Sequence, residues 1–206
     1  MSPSDDRYEL NIIIAGVGGQ GNVRGAQILG SAAVKAGYRA RVSDVYGIAQ
    51  RGGPVVSHVR IGRSISGNMI QEHSADVVVG LEPMEALRAV SKFLKPGGVA
   101  IVSTRPIYPV EVNTGKAAYP KIEDMLSIIR KAASRVIQLD ATRIAEEAGI
   151  PIAANIVVLG VLAGIGVLPF QPEALKEMIR ENIPRSIAQN LSAFDQGVAL
   201  GLASQA

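Results

Sequence analysis

Residues 10–21 read LNIIIAGVGGQG, and this stretch decides the fold. An apolar run of strand length passes directly into a glycine loop with the spacing Gly16-x-Gly18-x-x-Gly21. Small residues dominate the next segment, 23–36, which predicts a helix. Glycines permit a tight turn, and the N-terminus of the helix presents unpaired N–H groups to an anion such as phosphate. The stretch therefore predicts the first strand–turn–helix unit of an α/β fold.

Strand-like and helix-like segments alternate along the rest of the chain. Short apolar runs predict strands at residues 39–45, 55–61, 64–70, 76–81, 99–103 and 135–140. The two runs 55–61 and 64–70 are separated only by a Gly-Arg step, which is typical of a β-hairpin. Helical patterns lie between most of the other strands. We therefore predict a doubly wound, Rossmann-like, mostly parallel sheet with an inserted β-hairpin.

The last quarter of the chain predicts helices alone. Helical patterns cover residues 153–165, 172–182 and about 184–202. A chain of 206 residues is the size of one domain. We therefore expect a single domain over residues 8–206, with an α/β core at 8–150 and a helical extension at 151–206.

Composition limits the chemistry that the chain can perform alone. Cysteine is absent, which excludes disulfides, thiolate zinc sites and cysteine-ligated iron–sulfur clusters in this chain. The formal charge of +3 comes from scattered basic residues, with no basic run interleaved with aromatics, so nucleic acid is not an expected partner. An anionic cofactor such as CoA accounts for the basic residues at least as well.

No segment predicts membrane insertion or export. The first seven residues are polar and lack the apolar core of a signal peptide. The longest apolar stretch, 150–170, contains Asn155 and several Gly and Pro residues, so it predicts a buried helix instead of a membrane span. We expect a cytoplasmic protein that has no membrane partner.

The glycine loop by itself permits two interpretations besides a docking or ligand role in a complex. Asp44, at the end of the second strand, stands where a ribose-binding acid would sit in an NAD(P)-dependent dehydrogenase. That strand, however, is followed by a glycine-rich loop and the predicted hairpin instead of a helix, and no acid–base set for hydride transfer follows. His58 lies within a strand pattern and is predicted to be a packed residue. Alternatively, Gly18 and Gly21 serve only close packing of the strand on the helix.

Three segments together carry a resemblance to a known family. They are GVGGQG (16–21), SDVYGIAQRGGPVVSHVR (43–60) and ADVVVGLEPMEAL (75–87). They resemble the gamma domain of 2-oxoacid:ferredoxin oxidoreductases, which act on pyruvate, ketoisovalerate, 2-oxoglutarate and indolepyruvate. The middle segment is most similar to the small subunits of the indolepyruvate type. The resemblance extends over residues 10–202. The chain departs from the indolepyruvate-type pattern at two places: Tyr46 stands where many such sequences have His, and Asn22-Val23-Arg24 follows the glycine loop. Other aryl-2-oxoacids therefore stay open as substrates.

The resemblance implies a division of labour between subunits. In such enzymes thiamine diphosphate attacks the oxoacid, CO2 leaves, electrons pass through iron–sulfur clusters to ferredoxin or another acceptor, and CoA takes the acyl group. This chain has no cysteine and no Gly-Asp-Gly thiamine motif. The resemblance therefore implies that this chain binds no cofactor alone and that a larger partner subunit carries the thiamine and the clusters.

We predict a ligand or docking site where two glycine-rich loops meet at the carboxyl edge of the sheet. Arg51 would bind a phosphate or carboxylate, or else form an interface salt bridge, and Gln50 would donate a hydrogen bond beside it. The candidate cofactor-binding residues are Gly16, Gly18, Gly19, Gln20, Gly21, Asn22, Asp44, Tyr46, Gln50, Arg51, Gly52 and Gly53. The sequence predicts no catalytic residue and no metal ligand. An enzyme subunit that is inactive alone, an independent dehydrogenase and a purely structural subunit stay open at this point.

Overall fold

A computed structural model describes residues 8–47 and 52–205 of the chain. The strands are β1 (Glu9–Val17), β2 (Arg39–Tyr46), β3 (Pro54–Gly62), β4 (Ala75–Gly80), β5 (Leu94–Ser103) and β6 (Arg135–Leu139). The helices are α1 (Asn22–Lys35), α2 (Pro83–Phe93), α3 (Val110–Asn113), α4 (Ile122–Ala132), α5 (Ala141–Glu147), α6 (Ala154–Gly164), α7 (Pro172–Asn182) and α8 (Ile187–Ala203). A short 3-10 turn, Pro151–Ala153, precedes α6.

The strands form one six-stranded sheet in the order β2-β3-β1-β4-β5-β6. Strands β1, β4, β5 and β6 pair in parallel, and β3 runs antiparallel to both of its neighbours. Helices cover both faces, which explains why most residues of β1 and β4 are apolar and buried. Ile12 and Ile14 of β1 pack on one face, and Ile13 and Ala15 pack on the other. The predicted mostly parallel α/β sheet is confirmed.

The predicted pairing of 55–61 with 64–70 is wrong. Strand β3 forms, but 64–70 is irregular, and the antiparallel partners of β3 are β1 and β2. Side chains occupy the backbone groups that a hairpin ladder would need. The Arg60 guanidinium donates to the carbonyl oxygens of Ser66, Gly67 and Met69. The Ile70 N–H donates to His58 Nδ1 at 3.1 Å. The inserted antiparallel element is thus a single strand, β3, placed between β1 and β2.

The helices that follow the two central strands, β1 and β4, lie on opposite faces of the sheet. Helix α1, which follows β1, packs with α6, α7 and α8 on one face. Helix α2, which follows β4, packs with α4 on the other face. Because the chain leaves β1 and β4 toward opposite faces, a crevice opens between their carboxyl ends. Open α/β sheets bind ligands at such a crevice.

Helices α6 and α8 pack with their backbones in direct contact. Gly160 and Gly164 of α6 face Gly197 and Gly201 of α8. A Cβ atom on Gly160 would lie 2.1 Å from the Phe194 carbonyl oxygen, so only glycine fits. This contact anchors α8 to α6, whose apolar residues belong to the same core cluster as the sheet. Among the helices of the described residues, none combines the length and apolarity needed to cross a bilayer.

Candidate functional site

The two glycine-rich loops meet at the carboxyl edge of the sheet. The Gly18 N–H donates to the Gly53 carbonyl oxygen at 2.9 Å. The Asn22 amide Nδ2 donates to the Val55 carbonyl oxygen at 3.1 Å. These bonds join the loop after β1 to the start of β3. The expected adjacency of the two loops is therefore present, while their part in binding stays a prediction.

The first glycine loop needs glycine for two different physical reasons. Gly19 and Gly21 adopt φ angles of +104° and +82°, a left-handed region that disfavours other residues. At Gly16 the reason is space, because a Cβ atom there would lie 2.6 Å from Gln20 Oε1. A Cβ atom on Gly21 would likewise lie 2.7 Å from the Asn155 amide nitrogen. The glycines thus leave room for amide side chains that fold back onto the loop.

The side-chain amides of Gln20 and Asn22, both candidate binding residues, form hydrogen bonds within the chain itself. Gln20 Oε1 accepts from the Val17 N–H at 2.7 Å, and Gln20 Nε2 donates to the Leu81 carbonyl oxygen at 2.8 Å. Gln20 therefore ties the end of β1 to the end of β4. Asn22 is buried, and its Oδ1 has no hydrogen-bond partner within the described chain.

The second loop is described only in part. The Asp44 carboxylate accepts a hydrogen bond from the Ser57 hydroxyl across the β2–β3 pair. Because β3 lies between β2 and β1, Asp44 is a further strand spacing, about 5 Å, away from the glycine loop than a ribose-binding acid would be. This placement weighs against a dehydrogenase. Tyr46 is 61% exposed at the edge. Gln50 and Arg51 lie outside the described residues.

A cavity of about 930 Å³ lies beside the glycine loop, and the sequence did not reveal it. It is bordered by the start of α1, the turn before α6 and the connection between α7 and α8. Arg24 and Arg185 line it, together with Asn155 and Asn190, and no Asp or Glu of residues 8–47 and 52–205 does so. Neither arginine forms an ion pair with any part of the chain that the structure describes. The cavity therefore carries a net positive charge.

Helix ends add to the positive potential of this cavity. The N-cap positions of α1 and α8 are Gly21 and Ser186, and neither supplies a side-chain cap to the first turn. Both residues line the cavity. First-turn N–H groups without a cap are suited to an anion. Arg185 stands far from the glycine loop in the sequence, so only the fold brings it beside Arg24.

A buried carboxylate marks the crevice between β1 and β4. Glu82 is 1% exposed and caps α2, accepting from the N–H groups of Met84 at 2.8 Å and Glu85 at 3.0 Å. Its other oxygen accepts from the Tyr119 hydroxyl. Burial, and next the Glu82 carboxylate, raise the pKa of Tyr119, so the phenol stays a neutral donor. This bond fastens the connection between β5 and α4 to the carboxyl edge.

His58 is the packed strand residue that the sequence predicted. It is 1% exposed, and its ring meets the Phe93 ring edge-on at a centroid distance of 5.1 Å. Burial lowers the pKa of His58, Lys92 lowers it further, and Asp44 opposes the shift. Because Nδ1 accepts from Ile70, the neutral ring carries its proton on Nε2.

The lowered pKa of His58 predicts a loss of stability in mild acid. Below the unfolded value of about 6.5, the unfolded chain binds a proton that the folded chain binds less readily. We expect the free energy of unfolding to fall as the pH drops from 7.5 to 5.5, by up to about 1.4 kcal/mol per pH unit from this group. His58→Gln should reduce the fall when measured by urea denaturation.

The matched control is His73→Gln, because His73 is the only other histidine and is exposed in a turn. This variant should keep the full pH dependence. An equal fall in the wild-type chain and in His58→Gln would show that the buried ring does not cause it.

The fold and its edge define a class of protein: Rossmann-like α/β chains with an antiparallel strand inserted beside the first strand and a basic cavity next to the glycine loop. Within that class, the chain belongs to the family described as pyruvate ferredoxin/flavodoxin oxidoreductase, which it matches over residues 11–200. No cluster of metal-ligating side chains occurs in residues 8–47 and 52–205.

Curated relatives show which members of the family the chain resembles. The chain is 43% identical over 192 residues to the indolepyruvate oxidoreductase subunit IorB of Pyrococcus horikoshii, covering 92% of this chain and 95% of the relative. It is 35% identical over 173 residues to the pyruvate/ketoisovalerate oxidoreductases common subunit gamma of Thermococcus kodakarensis, covering 82% and 85%. The chain thus spans nearly the full length of an indolepyruvate-type relative.

Solved structures show the same fold. The gamma subunit of a keto/oxoacid ferredoxin oxidoreductase from Geobacter sulfurreducens superposes with a TM-score of 0.70 at 24% identity, covering 94% of this chain and 99% of that one. A 2-oxoglutarate:ferredoxin oxidoreductase from Magnetococcus marinus gives a TM-score of 0.72 at 22% identity. The match covers 96% of this chain and 32% of that chain. The fold therefore occurs both as a separate subunit and within a longer chain.

Proposed function

We propose that this chain is the small subunit of a cytoplasmic 2-oxoacid oxidoreductase that acts on indolepyruvate or another aryl-2-oxoacid. The full-length likeness to an indolepyruvate oxidoreductase subunit carries this proposal. The complex would convert the oxoacid and CoA to acyl-CoA and CO2 while reducing ferredoxin. Iron–sulfur clusters and thiamine diphosphate would be held by a larger partner subunit, because this chain has no cysteine for the clusters and no Gly-Asp-Gly motif for the thiamine. Thiamine supplies the carbanion chemistry when it is bound there.

Within that complex, the cavity beside the glycine loop is proposed to bind the phosphates of CoA. Arg24 and Arg185 line a space of about 930 Å³ to which the described part of the chain contributes no acidic residue. The N-terminus of α1 opens onto the same space through Gly21. Arginine binds phosphate through parallel N–H donors, and uncapped helix N–H groups add further ones. The chain would thus hold and orient CoA while the partner subunit supplies the reacting centre.

Removing the two cationic side chains tests this role. In the reconstituted complex, Arg24→Gln with Arg185→Gln should raise the KM for CoA by about 100-fold or more, because two charge-assisted hydrogen bonds of about 1.5 to 3 kcal/mol each would be lost. The kcat at saturating CoA should change little, since neither side chain is proposed to touch the reacting atoms. Steady-state kinetics with varied CoA measures both constants.

Two controls separate a contact with CoA from a general defect. Arg130→Gln removes an arginine that pairs with Glu123 on α4, on the other face of the sheet. The KM of this variant for CoA should stay unchanged. Pantetheine lacks the phosphates, so its use should be equally poor in the wild-type complex and in the double variant. An unchanged KM for CoA in an intact double-variant complex would instead support a purely structural subunit. Oxidation of a substrate with NAD by this chain alone would contradict the subunit role itself.

A further inference from the structure

A second cavity, of about 470 Å³, lies between α2 and β3 on the face of the sheet opposite α1. Val56, Ile70 and Phe93 contribute apolar walls. Val45 and Met69 stand at the same cavity with 45% and 48% of their surface exposed. The volume is in the range of sites for small molecules, and walls of this kind suit a flat apolar group.

One buried hydrogen-bond donor in this wall has no acceptor. The His58 ring lines the cavity and is 1% exposed. Its Nδ1 is occupied by the Ile70 N–H, which leaves the proton on Nε2. Nε2 has no hydrogen-bond partner within residues 8–47 and 52–205. His58 Nε2 therefore presents a donor to the cavity, which an acceptor on a bound molecule would satisfy.

Two cations and two carboxylates line the cavity, and both cations keep N–H groups that the carboxylates of the described residues do not use. Arg88 and Lys92 lie one turn apart on α2 and line the cavity. Arg88 uses an N–H group to reach Glu85 Oε1 at 2.6 Å and has others left. Lys92 Nζ lies 3.8 Å from Glu72 Oε1, too far for a hydrogen bond, and both side chains are largely exposed. Burial raises the pKa of Glu85, and its ion pair with Arg88 offsets the negative charge that would repel an incoming anion.

We propose that this cavity binds an aromatic monocarboxylate, at a site separate from the CoA cavity. The ring would lie among the apolar walls and beside the edge-to-face pair of His58 and Phe93. The carboxylate would accept from His58 Nε2 and lie toward the donors of Lys92 and Arg88. Binding would also cover the exposed apolar surface of Val45 and Met69. The inference does not rest on the proposed role in CoA binding.

The test is a titration of the purified full chain with 3-phenylpropionate, followed by isothermal calorimetry. We expect saturable binding at one site. Lys92→Gln should weaken it by about fivefold, the upper range for a partly exposed charge pair. Val56→Trp should fill the cavity and abolish binding. Because Lys92 is an exposed surface residue, its variant keeps the test valid if Val56→Trp fails to fold.

Three comparisons complete the design. Lys131→Gln, on an exposed position of α4, should bind as the wild-type chain does. The uncharged 3-phenylpropanamide should bind at least about fivefold more weakly than the acid. CoA should not displace the acid. Absence of saturable binding, binding that Lys92→Gln and a folded Val56→Trp leave unchanged, or displacement by CoA would each overturn the proposal. A negative result in the CoA kinetics would leave it untouched.

Discussion

Gly160→Ala is expected to lower the free energy of unfolding by about 3 kcal/mol or more, at the upper end of what overpacking a core produces. The new methyl group would lie 2.1 Å from the Phe194 carbonyl oxygen and 3.0 Å from the Gly197 Cα. Both are backbone atoms, so no side-chain rotation can relieve the contact. Helices α6 and α8 would have to separate, and their first turns border the basic cavity. Urea denaturation followed by circular dichroism measures the loss.

Gly25→Ala is the matched control for this prediction. Gly25 also lies within a helix, but a Cβ atom there would meet only Leu159 and Asn155 side-chain atoms, at 3.9 and 4.0 Å. Alanine favours a helix over glycine by about 1 kcal/mol, so this variant should be as stable as the wild-type chain or more so. If Gly160→Ala were equally well tolerated, the α6–α8 contact would be looser than described.

Gly80→Ala should have the second largest effect, a loss of about 2 to 3 kcal/mol. Gly80 is the last residue of β4, and a Cβ atom there would lie 2.2 Å from the Ala86 Cβ and 2.8 Å from the Ala86 Cα. The clash would push the first turn of α2 away from the sheet. That turn is capped by Glu82, so the hydrogen bond from Tyr119 would be disturbed as well. Thermal unfolding at fixed pH measures the change.

A double variant shows whether this clash is the cause. Ala86→Gly removes the nearest atom but leaves the Cα at 2.8 Å, so it should restore part of the stability lost in Gly80→Ala. The two substitutions should therefore be non-additive by about 1 kcal/mol or more, as expected for residues in contact. Strict additivity would contradict the close approach of β4 to α2.

The sequence was sufficient for the main features of the fold because they depend on local patterns. The apolar run before Gly16 predicted β1, and Pro83 correctly opened α2. The pairing of β3 was predicted wrongly, since register there depends on contacts that alternation does not encode. Arg60 and His58 occupy backbone groups of 64–70, and that segment cannot pair as a strand.

The site was less predictable, because it depends on which side chains the fold brings together. The meeting of the two glycine-rich loops followed from the general geometry of open α/β sheets. The inward orientation of Gln20 and Asn22 could not be predicted in this way, because side-chain amides at these positions would bind a ligand equally well. Arg185 joins Arg24 only because the glycine contact between α6 and α8 fixes where α8 begins. No spacing in the sequence indicates that long-range relation.

The insertion of β3 also affects how the chain folds while it is synthesised. Strand β1 is made first, yet Ile13 finds its two neighbours only at His58 of β3 and Val78 of β4. Both edges of a strongly apolar strand therefore remain unpaired until distant segments leave the ribosome. Such strands are prone to aggregate. Pairing over long sequence separations is also slow. The central strand of the sheet therefore completes its pairing only after the first 80 residues have been made.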